Sequence, residues 1–199
     1  MLRKHLYPKI EPTLNKAVGF LAQKKITPNQ LTLAGLGISL LAGWAYSGGL
    51  FFLGTLLLIG SCLGDLLDGP LARLTGKASR FGAFLDSTVD RYADFFLFGG
   101  LAYFFAFEER WGSFFMVWGI LLGAFVTSYA KARGENLIPS VSVGVFERPE
   151  RLIGLGLGTL LPPLLPLCLG ILLIGTQVTA LQRIFFVRKS LAETQSSSN

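Results

Sequence analysis

The sequence contains few charged residues. Asp, Glu, Lys and Arg make up 15% of its 199 residues, whereas an average soluble domain has roughly 25%. Hydrophobic residues make up 51%. Because so little polar surface cannot cover a water-soluble globule, the composition argues against an ordinary soluble domain and predicts an integral membrane protein.

Histidine and cysteine are also scarce. His5 is the single histidine and lies in a basic stretch, which argues against acid–base catalysis by histidine. Cys62 and Cys168 lie in apolar segments without a CxxC pattern, so we expect neither a disulfide nor a metal–thiolate site. We expect no cleavable signal peptide, because Pro8 and Pro12 interrupt a basic N-terminal stretch that has no apolar centre.

The sequence does contain six apolar stretches. They run over Leu31–Tyr46, Leu50–Leu63, Ala93–Phe107, Trp111–Tyr129, Leu152–Leu161 and Leu164–Leu181. A membrane-spanning helix needs about 20 residues, and some of these stretches are shorter. Each helix must therefore extend into the residues that flank its apolar stretch. The predicted fold is therefore an all-α integral membrane protein with six transmembrane helices, the fifth of which is cut short by Pro162 and Pro163.

The basic residues predict the orientation of these helices. Six spans would place both termini, residues 64–91 and the 131–151 loop on one side. Of the 18 Lys and Arg residues, Arg110 alone would then lie on the opposite side. Positively charged loops face the cytoplasm, so we expect a multi-pass protein of the cell membrane whose 64–91 region is cytoplasmic. The net charge of +6 then reflects topology and anionic lipids, and we expect no nucleic-acid partner.

The chain divides into three predicted parts. Residues 1–26 form an interfacial amphipathic arm on the cytoplasmic surface, because leucines recur there at helical spacing between basic residues. Residues 27–190 form the membrane domain, and residues 191–199 a disordered, serine-rich tail. The membrane domain begins at a capping box, with Thr27 as N-cap, Pro28 at the first helical position and Gln30 reaching back to the cap.

Four aspartates stand out, because they occur within 26 residues of a chain that has only 12 acidic residues. Asp65 and Asp68 are three apart, and Asp86 and Asp90 are four apart, so each pair shares one face of a helix. A turn over residues 73–81 would let the two helices meet antiparallel. Four such carboxylates repel one another unless cations lie among them, and an all-oxygen set favours Mg²⁺, Mn²⁺ or Ca²⁺.

A carboxylate site with two metals suits displacement at a phosphoryl group. Gly69 would leave room for a ligand beside the backbone, and Arg73 can bind phosphate oxygens in a bidentate manner. Two other interpretations are solvated helix ends and a cation transporter that uses the acids as a binding site. The transporter is disfavoured, because the acids cluster at one end and no polar residues continue across the helices.

These residues resemble a known family. Asp65-x2-Asp68-Gly69-x2-Ala72-Arg73-x8-Gly82-x3-Asp86-x3-Asp90 is similar at every fixed position to the signature of the CDP-alcohol phosphatidyltransferases. The resemblance implies an enzyme that transfers a phosphatidyl group from a CDP-linked lipid, such as CDP-diacylglycerol, to a small alcohol and releases CMP. It also implies two Mg²⁺ ions, with Mn²⁺ as an alternative, and a homodimer.

The resemblance further assigns roles to individual residues. It implies metal binding by Asp65, Asp68, Asp86 and Asp90, with Asp90 also acting as the catalytic base that takes the proton of the alcohol. The residues implied in binding the CDP-lipid are Pro28, Asn29, Gln30, Leu31, Gly69, Arg73 and Ser79. From the residues alone Asn29 was better explained as structural. Asp94 lies outside the signature, and we expect it to pair with a basic group inside the bundle.

The basic residues of the second predicted cytoplasmic loop indicate the chemical class of the acceptor alcohol. Its four basic residues, Lys131, Arg133, Arg148 and Arg151, exceed the two or three that topology explains, which favours a phosphorylated alcohol over inositol or serine.

The segments around this loop resemble the phosphatidylinositol-phosphate and archaetidylinositol-phosphate synthases, which implies inositol 1-phosphate as acceptor. Lys131 and Arg151 match acceptor-phosphate positions there, and Arg133, Arg148 and Arg183 or Arg188 are further candidates. The alternatives are a phosphatidylglycerophosphate synthase that uses glycerol 3-phosphate and a CDP-inositol-dependent synthase of di-inositol phosphate.

Overall fold

The structure is a computed structural model that describes residues 14–196, with side chains through residue 194. The described residues form seven helices, joined by short turns except for the loop of residues 135–147, which confirms the predicted all-α class. The helices are α1 (14–23), α2 (Pro28–Ser47), α3 (Phe51–Leu74), α4 (Arg80–Phe107), α5 (Trp111–Gly134), α6 (Arg148–Leu160) and α7 (Leu165–Ser196), with a 3₁₀ turn at Pro162–Leu164. Half of the predicted N-terminal arm, residues 1–13, lies outside the described residues.

The start of α2 follows the predicted capping box. The Thr27 hydroxyl accepts a hydrogen bond from the Gln30 N–H at 3.3 Å, and the Gln30 side chain accepts one from the Thr27 N–H at 2.9 Å. Two backbone donors that a helix start leaves unpaired are satisfied in this way. The cap therefore fixes the first turn of α2, which carries Pro28 and Asn29.

The turn between α3 and α4 is short and also capped. Gly76 adopts a left-handed φ of +64°, a conformation that costs a glycine little. Ser79 is the N-cap of α4, and its hydroxyl accepts a hydrogen bond from the Gly82 N–H at 3.0 Å. The turn thus places the end of α3, with Asp65 and Asp68, next to the start of α4.

Helix α2 packs closely along both α3 and α4, whereas α3 and α4 have few close backbone approaches to each other. This differs from the expectation that α3 and α4 pack directly. Glycines on α2 and α4 explain the arrangement, because a Cβ on Gly43 would lie 2.2 Å from the Phe96 carbonyl oxygen and one on Gly100 would lie 2.0 Å from the Gly43 carbonyl oxygen. Small residues let membrane helices approach to backbone contact in this way.

Residues from helices α2 through α7 form the core, which is mostly aliphatic and aromatic. Its fully buried members include Tyr46, Phe98, Phe105, Leu155 and Leu169. Many large apolar side chains lie instead on the outside of the bundle, among them Trp44, Phe52, Phe115 and Ile174. An apolar exterior of this extent is typical of a protein surrounded by lipid.

Within the described part of the chain, three segments are long and apolar enough to cross a membrane: Phe51–Leu74, Trp111–Gly134 and Pro162–Thr194. Helices form at all six predicted apolar stretches, and Pro162 and Pro163 end the fifth as expected, whereas the count of six membrane spans stays a prediction. With 13 residues, α6 is about 20 Å long at 1.5 Å per residue, which is shorter than a hydrocarbon core of about 30 Å.

The C-terminal end differs from the sequence prediction. Residues 191–196 were expected to belong to a disordered tail, but α7 continues as a helix through Ser196. Lys189 and Glu193, one turn apart, approach to 3.8 Å and support the helix there. Residues 197–199 lie outside the described part of the chain.

Candidate active site

Three of the four signature aspartates come together. One carboxylate oxygen from each of Asp65, Asp68 and Asp86 lies within 4.8 Å of the other two. Asp68 is buried, Asp86 is half-buried and Asp65 is exposed. Oδ1 of Asp86 is buried without a hydrogen-bond partner among the described residues. An unpaired buried oxygen beside two further carboxylates fits a hard divalent cation.

Thr32 orients Asp68. Its hydroxyl lies 2.6 Å from Asp68 Oδ2 and 3.1 Å from the carbonyl oxygen of Pro28. The hydroxyl has a single proton, and the shorter contact to a carboxylate is the stronger hydrogen bond. Sequence reasoning missed Thr32, although its position four residues after Pro28 places it on the same helix face as that residue.

Asp90 lies apart from the group of three and pairs with an arginine. Nη1 of Arg148 is 2.6 Å from Asp90 Oδ1 and 2.8 Å from Asp65 Oδ2. Arg148 was predicted as an acceptor-phosphate residue, and its contact with the aspartates was not foreseen. The role of Asp90 as a fourth metal ligand and as a base stays a prediction.

Asp94 forms a buried ion pair, as expected. Its Oδ2 lies 2.6 Å from Nη2 of Arg151, and its Oδ1 lies 3.4 Å from Nε of Arg148. Asp94 and Arg151 are only 4% and 3% exposed. Nε of Arg151 is buried without a partner in the described part of the chain. Asp94 therefore connects the arginine beside the aspartates to a second arginine one turn further along α6.

A cleft of about 230 Å³ opens beside Asp68 and Asp86, where α2 begins, α3 ends and α4 begins. Five of the seven predicted CDP-lipid residues line it, namely Pro28, Asn29, Gly69, Arg73 and Ser79. Lys77 lines it too and was missed, although its place in the turn before Ser79 was a usable signal. Gln30 and Leu31 are not among the lining residues, and the side chain of Gln30 is used in the capping box.

Glycine keeps this cleft open at the start of α4. A Cβ on Gly82 would approach the Ser79 hydroxyl to 3.2 Å and the Asn29 side-chain oxygen to 3.5 Å. A side chain at this position would therefore fill the space between the two residues. Gly69, on the other wall, would place a Cβ 3.6 Å from a guanidinium nitrogen of Arg73.

Arg183 donates hydrogen bonds both to α5 and to the loop before α6. Its guanidinium donates to the carbonyl oxygens of Thr127 and Val143, both at 2.9 Å, and to Oε1 of Glu147 at 3.0 Å. These bonds stabilise the segment that leads into Arg148. Arg183 was predicted to bind the acceptor phosphate instead. It is a support of this loop in the structure.

The other basic candidates differ in their burial. Lys131 is half-buried in the last turn of α5, and Arg133 and Arg188 are exposed. Arg151 belongs to the first turns of α6. The end of α5 and the start of α6 therefore carry Lys131 and Arg151 on either side of the loop, and their binding of an acceptor phosphate stays a prediction.

Known proteins resemble this chain in sequence and in fold. The family model described as CDP-alcohol phosphatidyltransferase matches residues 25–179. The chain belongs to this family. It is accordingly a transferase of phospholipid biosynthesis, and its aspartate group lies in the matched region.

Two similar proteins of this family have named activities. The chain is 36% identical over 195 residues to the archaetidylinositol phosphate synthase of Pyrococcus horikoshii, covering 96% of this chain and 98% of the relative. It is 35% identical over 215 residues to the phosphatidylinositol phosphate synthase of Streptomyces avermitilis, covering 100% of this chain and 87% of that protein.

Solved structures agree in fold. The phosphatidylinositol phosphate synthase of Mycobacterium tuberculosis with CDP-DAG bound matches with a TM-score of 0.80 and 32% identity, over 87% of this chain and 92% of that one. A second structure of that enzyme, in complex with manganese and citrate, matches with a TM-score of 0.80 over 87% of this chain and 88% of that one.

Proposed function

We propose that this transferase is a phosphatidylinositol phosphate synthase, which moves the phosphatidyl group of CDP-diacylglycerol onto inositol 1-phosphate and releases CMP. One arrangement supports the proposal. On one side of the aspartates lies the cleft that Arg73 and Lys77 line. On the other side lie Arg148 and Arg151 of α6. The donor diphosphate and the phosphorylated acceptor are both anions. Arg73 and Lys77 would bind the first, and the arginines of α6 would bind the second.

The aspartates would hold divalent cations. Asp65, Asp68 and Asp86 have the oxygen ligands that Mg²⁺ and Mn²⁺ prefer, and Asp90 would complete a site for two ions. When bound, such ions neutralise diphosphate oxygens and make CMP a better leaving group. The similar mycobacterial enzyme was solved in complex with manganese, which supports the binding of a divalent cation by this chain.

Asp90 would move the proton. In the proposed step the acceptor hydroxyl oxygen attacks the phosphorus atom that carries the lipid. The bond from that phosphorus to the bridging oxygen breaks, and CMP leaves with the electron pair. The hydroxyl proton passes to the Asp90 carboxylate, which a positioned general base does at a rate gain of roughly 10²–10⁴.

The donor would occupy the cleft between α2, α3 and α4. Arg73 and Lys77 would bind the diphosphate, and Gly69 and Gly82 would leave room for the nucleotide beside the backbone. Asn29 and Ser79 face the same space, together with Pro28. For Gln30 and Leu31 we propose an indirect part, through the shape of the first turn of α2.

The acceptor phosphate would lie at the ends of α5 and α6. Lys131 and Arg151 would bind it from two sides, with Arg133 and Arg148 nearby. The unpaired Nε of Arg151 supports this assignment, since a buried guanidinium donor without a partner is costly. Arg183 would contribute by holding the loop that presents these residues.

We further propose the arrangement in the membrane. Residues 27–190 would form one domain with six spans in a homodimer, with the aspartates at the cytoplasmic face of the cell membrane and the arm of residues 1–26 on its surface. The basic residues support this topology, because it leaves Arg110 alone on the far side. Reporter fusions after residues 48 and 109 should report the outside, and fusions after residues 77 and 140 the cytoplasm.

Turnover of purified protein tests the function. With CDP-diacylglycerol and Mg²⁺, CMP release should require both the metal and inositol 1-phosphate, and chelation should abolish it. Faster release with glycerol 3-phosphate would reassign the acceptor while keeping its phosphate site. Release with unphosphorylated inositol or serine alone would contradict the roles given to Lys131 and Arg151.

A further inference from the structure

Arg148 lies inside the group of carboxylates that the proposed function assigns to cations. A single nitrogen, Nη1, approaches both Asp90 Oδ1 at 2.6 Å and Asp65 Oδ2 at 2.8 Å. The side chain is 16% exposed, so water screens this contact only in part. Two of the four signature carboxylates therefore already have a positive partner belonging to the chain.

Arg148 occupies an electrostatically unfavourable position in its helix. It begins α6, and cations at a helix N-terminus are disfavoured by the helix dipole. Asp94 compensates, since it accepts from Nε of Arg148 at 3.4 Å and from Nη2 of Arg151 at 2.6 Å. Asp94 is buried and lies outside the family signature. It holds the Arg148 guanidinium on the side that faces Asp65 and Asp90.

We propose that Arg148 is a positioning residue that competes with divalent cations for Asp65 and Asp90. The inference rests on the proposed function, because it takes these aspartates as cation ligands. The ion pairs of Arg148 with described residues include neither Asp68 nor Asp86, so a cation held mainly by those two is less affected than one that needs Asp90. A cation that needs Asp90 requires the guanidinium to turn away, and that site is the weaker one.

The competition has a functional consequence. Asp94 keeps the displaced guanidinium near Arg151, which is the proposed acceptor side of the site. Filling of the Asp90 site and release of a phosphate-binding arginine would then occur together. Between turnovers, Arg148 partly compensates the charge of two neighbouring carboxylates and keeps them in place.

Mn²⁺ binding tests the inference without turnover. The full-length protein in detergent, stripped with EDTA and free of both substrates, is titrated with Mn²⁺ while free Mn²⁺ is followed by electron paramagnetic resonance. Arg148→Gln removes the competing charge, so the weaker site should bind Mn²⁺ about 10- to 100-fold more tightly. Loss of a merely structural residue would weaken binding.

Two further variants complete the design. Arg80→Gln is the matched control, because Arg80 also begins a helix but is exposed and has no ion pair among the described residues; its Mn²⁺ affinity should stay unchanged. Arg148→Lys keeps the charge but loses the planar fork, so it should tighten binding only several-fold. If Arg148→Gln does not fold, Arg148→Lys carries the test.

The outcomes separate this inference from the proposed function. Equal or weaker Mn²⁺ binding in Arg148→Gln, or in Arg148→Lys where that variant carries the test, with normal binding in the unaltered protein, overturns the competition and leaves the metal site intact. Failure of the unaltered protein and of all variants to bind Mn²⁺ overturns both.

Discussion

The hydroxyl of Thr32 donates a 2.6 Å hydrogen bond to Oδ2 of Asp68. This bond joins the first turns of α2 to the aspartates of α3. Both residues are buried, so the contact is protected from water. The capped start of α2 therefore has two consequences: it forms a wall of the cleft proposed to bind the donor, and it fixes the orientation of a carboxylate that is proposed to bind metal.

Removal of this hydroxyl should impair the metal site. A hydrogen bond to a charged group contributes about 1.5–3 kcal/mol, so Thr32→Val should reduce CMP release by roughly 10- to 100-fold at limiting Mg²⁺. Excess Mg²⁺ should restore part of the rate, and Thr32→Ser should remain active. Initial rates over a Mg²⁺ series provide the measurement.

Thr55→Val is the matched control for Thr32→Val. Thr55 is buried and pairs with Thr159 at 2.7 Å, within the core. Its loss should lower the thermal stability without changing the Mg²⁺ dependence. Equal Mg²⁺ profiles for the two variants would show that Thr32 is merely a packing residue.

Each of the three converging aspartates should be required. Asp65→Asn, Asp68→Asn and Asp86→Asn each remove one charge from the proposed cation site, and turnover should fall at least ~100-fold in each case. Glu108→Gln, which removes an exposed acid beyond the far end of α4, should have normal rates. Near-normal activity in any of the three aspartate variants would contradict the site.

Asp90 should matter for transfer more than for donor binding. Asp90→Asn should still bind CDP-diacylglycerol in an equilibrium assay, while its single-turnover rate falls by roughly 10²–10⁴ because the acceptor proton has no base. A parallel loss of donor binding would instead indicate that Asp90 only supports the site.

Donor and acceptor arginines should separate kinetically. Arg73 lines the cleft, so Arg73→Ala should raise the KM for CDP-diacylglycerol and leave the acceptor KM nearly unchanged. Arg151→Ala should raise the acceptor KM by roughly ten- to hundred-fold, as expected for the loss of a charge-assisted hydrogen bond of about 1.5–3 kcal/mol. Equal effects on both KM values in either variant would argue against two separate anion sites.

Local signals in the sequence predicted much of this fold. The capping box at Thr27, the glycine turn before Ser79 and the double proline after α6 depend on neighbours in the chain, and all three occur as expected. The aspartates were recognisable for the same reason, since i,i+3 and i,i+4 spacing fixes a shared face.

Relationships between distant residues were not predictable from these signals. Arg148 reaches Asp65 across 83 positions of the chain, and no local pattern indicates which of several loop arginines does so. The packing of α2 along both α3 and α4 depends on the backbone contact at Gly43 and Gly100, which becomes visible only in three dimensions. Thr32 likewise gained its role from a partner on another helix.

A competition between acceptors provides the decisive measurement. Purified protein receives CDP-diacylglycerol, Mg²⁺ and equal amounts of inositol 1-phosphate, glycerol 3-phosphate and inositol, and the lipid products are identified by mass spectrometry. The proposed function predicts phosphatidylinositol phosphate as the main product and almost no phosphatidylinositol, because unphosphorylated inositol has no phosphate for Lys131 and Arg151 to bind. Phosphatidylinositol as the main product would contradict it.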